Sequence, residues 1–223
     1  MSGRILAVDT TTEFGSLALV EEAHVRGEVL LHSPDGFAHI LYEHIERLLA
    51  RLGWRPEDVD CFAAAAGPGS FTGVRVGLAA VKGLAEAAGR PVVAVSNLRA
   101  IASFGGEPLR AALADARKGE IYGAVYDAAL ELVQPEVVIR FPAWLESLPE
   151  RPLEFLSTDL GPFRAALSAG RFQNLPRREV PKALAGAVGR IAAAEFARGR
   201  ALDPAAVDAN YVRRSDAELL WKD

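Results

Sequence analysis

The chain has 223 residues, half of them apolar and 24% charged, with a formal net charge of −4. That is enough apolar material for one large domain or two small ones, and the acidic balance argues against a protein that holds nucleic acid through a basic surface of its own. A single cysteine, Cys61, leaves no intrachain disulfide, and no signal peptide or bilayer-length apolar run is visible, so the cytosol is the expected compartment, without membrane contact.

From the N-terminus, Arg4 to Thr11 (RILAVDTT) has the pattern of a buried strand ending in polar residues. Ser16 to Val20 and Val25 to His32 follow as two more strands around the short polar stretch Glu21-Glu22-Ala23-His24, a three-stranded meander. Phe37, Leu41, Ile45, Leu48 and Leu52 recur at helical spacing, which predicts an amphipathic helix over 37–52 with Gly53 just past its end. Val59 to Ala66 is a short apolar strand, Thr72 to Ala88 a helix closed by Gly89-Arg90-Pro91, and Val92 to Val95 another buried strand. Ser96 caps a short helix through Ala102. The break at Phe104-Gly105-Gly106-Glu107-Pro108 is the expected domain boundary, with Gly105-Gly106 as a hinge. Beyond it, Leu109 to Asp115 and Ile121 to Tyr126 pair around Arg117-Lys118-Gly119. More short strands, a helix near Pro162 to Ala169 and an Ala-rich helix at Pro181 to Arg198 complete a weak second round of strands followed by helices. The final YVRRSDAELLWKD is expected to pack back on the body or fray.

Residues 67–77, GPGSFTGVRVG, hold four glycines and two hydroxyl residues between apolar stretches. A P-loop needs Gly, four residues, then Gly-Lys-Ser/Thr, and neither Gly67 nor Gly69 satisfies it. The dinucleotide pattern fails because Thr72 stands where its third glycine belongs. A nucleophile elbow fails because Pro68 and Thr72 flank Ser70 at the glycine positions. A tight strand-to-helix turn survives, with Ser70 or Thr72 as the N-cap. On the following helix Gly73, Gly77, Ala80, Leu84 and Ala87 share a face. Each interior glycine costs about 1 kcal/mol against alanine, so Gly73, Gly77 and Gly83 imply a close approach by something: another helix, a sheet or a second chain.

The segments ILAVDTTTEFGSLAL, GPGSFTGVRVGLAAVKGLA, PVVAVSNLRAIA, DARKGEIYGAVYD and YVRRSDAELLWKD, in this order over nearly the whole chain, resemble the TsaB (YeaZ) family, and GPGSFTGVRVG is the specific match. The resemblance implies an α/β fold of two RNase H-like lobes, each a mixed sheet with flanking helices, of the actin-like ATPase, Hsp70 and sugar-kinase superfamily. Residues 1–104 would form the N-terminal lobe and 105–223 the smaller C-terminal lobe, with the last segment returning to the first. It further implies a non-catalytic partner and activator of the paralogous TsaD transferase. With TsaD and the ATPase TsaE, it would serve to place threonylcarbamoyl on the adenosine beside the anticodon of tRNAs whose codons begin with A.

On this reading the helices 37–52 and 72–88 pair with matching helices of TsaD. Gly73, Gly77 and Ala80 permit close approach, while Leu41, Ile45, Leu48, Val74, Leu78, Val81 and Leu84 are divided between seam and core. A homodimer through the same face is compatible with this when the chain is alone. No cofactor of its own is implied. ATP or ADP has a place at the complex interface, and tRNA contact is indirect. The His-x-x-x-His metal pair of TsaD relatives falls, by alignment, on Asn97 and Ile101, and isoleucine cannot ligate a metal. His39 and His44, five apart on a helix, do not converge. Asp9, Thr10 and Thr11 remain candidate nucleotide-facing residues, with Asp9 either holding a metal-bound water or capping its own turn. The rival from another class is a stand-alone ATP-binding enzyme or a glycoprotease-like peptidase.

Overall fold

The computed structural model describes residues 3–212. Its first sheet is built from β1 (Arg4–Asp9), β2 (Phe14–Glu21), β3 (His24–His32), β4 (Cys61–Ala65) and β5 (Val92–Val95), in the order β3-β2-β1-β4-β5. The meander β1-β2-β3 is antiparallel, while β4 runs parallel to β1 and β5 parallel to β4. Strands β1 and β4 are apolar without alternation because both faces of the sheet are covered. One face carries α1 (Leu41–Arg51) and α2 (Phe71–Ala88), whose inner residues form one core with Leu6, Val8, Leu17, Leu19 and Phe62. The other face takes α6 (Ala185–Ala197), where a side chain at Gly189 would run into Val20 and Ala7.

The second sheet repeats the plan. Strands β6 (Leu109–Arg117), β7 (Glu120–Asp127), β8 (Leu132–Arg140), β9 (Glu154–Ser157) and β10 (Arg177–Glu179) lie in the order β10-β9-β6-β7-β8. Again three antiparallel strands lead into two parallel ones. Helix α4 (Phe141–Ser147) buries Trp144 and Leu145 against Ile121, Val125 and Phe155. The helix expected near Pro162 is a 3-10 turn, Gly161–Phe163, running into the four-residue α5 (Arg164–Leu167). The Arg117-Lys118-Gly119 cluster is an exposed hairpin tip.

Three sequence expectations change. Helix α1 begins at Leu41 rather than Phe37, because Phe37 to Ile40 form a turn in which Phe37 stays buried. The division at 104/105 also moves. One compact unit contains the chain up to Asn97 together with Lys182–Asn210, and the other contains Leu98–Pro181 together with, among the described residues, Tyr211 and Val212. The Ala-rich helix therefore belongs with the first sheet, to which its N-terminus is fastened: Leu184 N and Ala185 N donate to Ser16 Oγ (3.1 and 2.9 Å), and Gly186 N donates to Glu28 Oε1 (2.7 Å). Finally, Gly105-Gly106 is held rather than hinged. Glu154, 3% exposed, accepts from Gly106 N (2.7 Å) and Glu107 N (3.3 Å), and Arg178 Nε donates to the same carboxylate at 2.8 Å. Of the C-terminal YVRRSDAELLWKD, all but Tyr211 and Val212 lies outside the described residues.

The β2–β3 turn places two non-glycine residues in the left-handed region, Glu22 at φ 52° and Ala23 at φ 64°. Two-residue hairpins want that geometry, but Asn-Gly adopts it with far less strain. The double change Glu22→Asn, Ala23→Gly should raise stability by about 1 kcal/mol. Urea unfolding should show a higher midpoint at unchanged slope.

Candidate functional site

The glycine-rich loop is a packing device within the first unit. Ser70 caps α2, its Oγ accepting from Gly73 N at 3.3 Å, and Gly89, at φ 63°, closes the other end. A Cβ built on Gly73 would lie 2.0 Å from Thr10 O, one on Gly77 2.5 Å from Thr10 Oγ1, and one on Gly69 2.6 Å from Thr11 O. The backbone that comes close to this helix face is therefore the chain's own, at the end of β1. Thr10 Oγ1 donates to Gly73 O (2.7 Å), and Ser70 N donates to Thr11 O (2.7 Å).

Beneath this contact lies a buried polar network. Asp9, Thr10 and Thr11 are 2%, 1% and 1% exposed, and Asn97 is 5% exposed. Asp9 Oδ1 accepts from Thr11 N (2.9 Å), from Thr11 Oγ1 (2.7 Å) and, at 3.5 Å, from Asn97 Nδ2. The Asn97 amide also donates to Thr11 Oγ1 (2.7 Å), while its Oδ1 accepts from Gly67 N (3.0 Å). Asp9 thus caps its own turn, as one of its two sequence readings had it. Burial raises its pKa, and the hydrogen bonds from Thr11 and Asn97 oppose that rise. Asn97 was legible only as a residue standing in a ligand's place. Its role as a three-way bridge depends on a loop thirty residues earlier and was not.

The candidate docking residues divide differently from expectation. Leu41, Ile45, Leu48, Val74, Leu78, Ala80 and Val81 are each 5% exposed or less and belong to the core of their own unit. Gly77 is buried against Thr10, and Gly73 and Leu84 are half-buried. The pattern of apolar spacing cannot separate core from seam, because both use the same helical period. What the two helices present outward is another set. On α1 it is Tyr42, 55% exposed, with Glu43, Glu46 and Arg47; on α2 it is Phe71, 41% exposed, with Thr72, Arg75, Ala79, Gly83 and Ala87. The Arg75 guanidinium lies 3.7 Å over the Phe71 ring. Nothing lies within 4 Å of a Cβ built on Gly83, the one helix glycine that this fold leaves unexplained.

Other chemistry is sparse. Cys61 is fully buried, and burial pushes its thiol up to about 12, so it supplies no thiolate near neutral pH. Among the described residues, no three His, Cys, Asp or Glu side chains gather as a metal site, and no helix is long and apolar enough to cross a membrane.

Two stability measurements follow. Gly73→Ala should destabilise by about 2 kcal/mol, because the α2 N-terminus must lift off Thr10, whereas Gly83→Ala should stabilise by about 0.5–1 kcal/mol. Equal effects in urea unfolding would contradict the packing described. For Asp9, a native pKa above the unfolded value means the folded state gains relative stability as pH falls. Wild type should therefore gain on Asp9→Asn, which cannot titrate, between neutrality and about pH 4. A stability difference that is flat with pH, or runs the other way, contradicts a desolvated carboxylate.

The TsaD family model, tRNA N6-adenosine threonylcarbamoyltransferase, matches residues 34–155. The TsaB protein of Bacillus subtilis, a tRNA threonylcarbamoyladenosine biosynthesis protein, is 34% identical over 162 residues, covering 70% of this chain and 71% of its own. The Haemophilus influenzae protein of the same name is 32% identical over 98% of this chain and 95% of its own. The solved YeaZ of Pseudomonas aeruginosa superposes with a TM-score of 0.75 at 28% identity, covering 94% of this chain and 99% of that one. The α/β class expected from the sequence, two mixed sheets with flanking helices, is the fold class observed and the one this neighbour shares. With that coverage and identity, and with GPGSFTGVRVG folded as the seat of α2, the chain belongs to the TsaB (YeaZ) family.

Proposed function

We propose that this chain is a non-catalytic partner that holds and activates a TsaD transferase during formation of threonylcarbamoyladenosine, beside the anticodon of tRNAs whose codons begin with A. The observation that carries this reading is how the β1–β2 turn spends its polar groups. The Thr10 hydroxyl is committed to Gly73 O and the Thr11 hydroxyl to Asp9, with the α2 glycines packed directly over them. A turn so occupied has little left with which to cradle a phosphate, so the loop serves to set a helix in place.

The helix it sets offers a surface suited to another helix. Thr72, Val76, Ala79, Gly83 and Ala87 fall within about 80° of arc on α2, all small or β-branched and all at least partly exposed. Phe71 and Tyr42 provide apolar anchors on α2 and α1, and aromatic anchors of this kind commonly dominate binding energy. Docking therefore falls to this outward set rather than to Leu41, Ile45, Leu48, Val74, Leu78 and Val81. TsaE is proposed as the third component, with ATP or ADP at the joint surface and tRNA met indirectly. The formal net charge of −4 argues against tRNA backbone binding through a basic surface of the chain's own.

The test is a reconstituted tRNA modification assay with TsaD, TsaE, the threonylcarbamoyl-adenylate synthase, ATP, threonine and bicarbonate, run with and without this chain. Modification should require the chain and survive Asp9→Asn and Ser70→Ala. It should fall at least tenfold with Tyr42→Glu plus Phe71→Glu, in parallel with loss of TsaD binding. If Asp9→Asn stops turnover in an assembled complex, the chain is itself catalytic and the proposal fails.

A further inference from the structure

The chain treats the two outer strands of its first sheet differently. At β5 the outer edge is taken up: Val92 N donates to Leu202 O and Leu202 N donates to Val92 O, both at 2.8 Å. At β3 the outer edge is open, because among the described residues β3 pairs with β2 alone. An open edge presents a row of unpaired N–H and C=O groups. The register between β3 and β2 shifts once, between Leu19 and Val20. Past that shift it is unbroken, with Gly27 to His32 opposite Leu19 to Phe14, and no proline removes a donor.

The two-residue period divides this regular stretch between the two faces of the sheet. Val29 and Leu31 turn inward to the core under α1 and α2. Glu28, Leu30 and His32 share the other face, and all three are exposed. Leu30, 49% exposed, is the large apolar side chain that the first sheet leaves uncovered. Turned antiparallel about Leu30, a second copy of the stretch places Leu30 opposite itself and Glu28 opposite His32 at both ends. The next registers that the pleat allows, two residues either way, set Leu30 against Glu28 or against His32. One register therefore covers Leu30 with apolar surface and gives each carboxylate an imidazole.

Both polar partners are oriented in advance. Glu28 Oε1 accepts from Gly186 N at 2.7 Å and the Arg190 charge acts on the same carboxylate, whose second oxygen retains acceptor capacity. The His32 ring stacks on Phe14, with centroids 4.6 Å apart, and its N–H is not spent elsewhere among the described residues.

We propose that β3 pairs antiparallel with β3 of a second copy of this chain about Leu30, joining two five-stranded sheets through an isologous two-fold contact. The contact uses none of the outward residues of α1 and α2, so it stands or falls independently of the docking face above.

A residue that meets itself on a two-fold axis allows a reciprocal test. Leu30→Glu sets glutamate against glutamate and Leu30→Lys sets lysine against lysine, whereas a mixture of the two variants sets opposite charges on the axis. The background for every sample is Tyr42→Glu plus Phe71→Glu, so that association through α1 and α2 does not contribute. Sedimentation equilibrium of the full chain, up to about 0.3 mM because five residues a side make a small interface, should show a concentration-dependent dimer. Each Leu30 variant should lose at least tenfold in self-affinity, and their equimolar mixture should recover to within about threefold of the background chain. His32→Glu, which sets a second carboxylate opposite Glu28 at both ends, should also lose at least tenfold. Circular dichroism should confirm that each variant remains folded. A background chain that stays monomeric, a dimer indifferent to Leu30→Glu or to His32→Glu, or a mixture that fails to recover would each overturn the proposal.

Discussion

The contact on which the first unit depends is the seating of α2 on the end of β1. Three glycines let the helix backbone and its leading loop approach Thr10 and Thr11 more closely than any side chain permits. That approach brings Thr10 Oγ1 onto Gly73 O and Ser70 N onto Thr11 O. The rest of the local arrangement answers to it. The turn after β1 must bury Asp9, and a buried carboxylate needs donors, which Thr11 and Asn97 supply. Asn97 in turn holds Gly67, where the loop begins. A closed circuit of hydrogen bonds therefore joins β1, the glycine loop and the start of α3 (Asn97–Ala102). Its members are buried and committed to one another.

The circuit also bears on what α2 can offer to another molecule. The inward face of α2 is spent on the sheet, so anything the helix offers to another molecule comes from the opposite side. There the residues are small, with aromatic anchors at Phe71 and, on α1, Tyr42. A glycine with nothing near it, Gly83, carries a local cost that the isolated unit does not repay. That imbalance is what a partner's close approach would explain.

Much of this fold was legible from the chain. The meander β1-β2-β3, the loop before α2 and an N-cap at Ser70 or Thr72, which the structure gives to Ser70, followed from apolar spacing and punctuation by Gly, Pro and Ser. The Gly53 and Gly89 helix ends followed too, both with positive φ. What stayed hidden were choices made between distant segments. The period of Leu41, Ile45 and Leu48 shows a buried stripe without showing what buries it, and the structure answers with the helix's own sheet. The glycines of α2 announce a close neighbour but cannot name Thr10, more than sixty residues earlier. Nor could the Ala-rich composition of α6 tell which of two similar sheets it covers. That is decided by Ser16 and Glu28, polar residues on strands that otherwise look like plain core and edge.

The return of α6 makes the first unit discontinuous, with Leu98–Pro181 lying between its two segments. During synthesis, β1 to β5 emerge with one face of their sheet still bare, because the helix that covers it follows the whole Leu98–Pro181 stretch in sequence. The strands and helices of the Leu98–Pro181 stretch are contiguous in sequence and can begin to close first and locally. Until Lys182–Asn210 arrives, the nascent chain exposes an apolar surface spanning β1, β2 and β4 and an unmatched carboxylate at Glu28. A ribosome stalled shortly before α6 would therefore hold out a sticky half-lobe, so premature termination is a hazard built into the order of this chain.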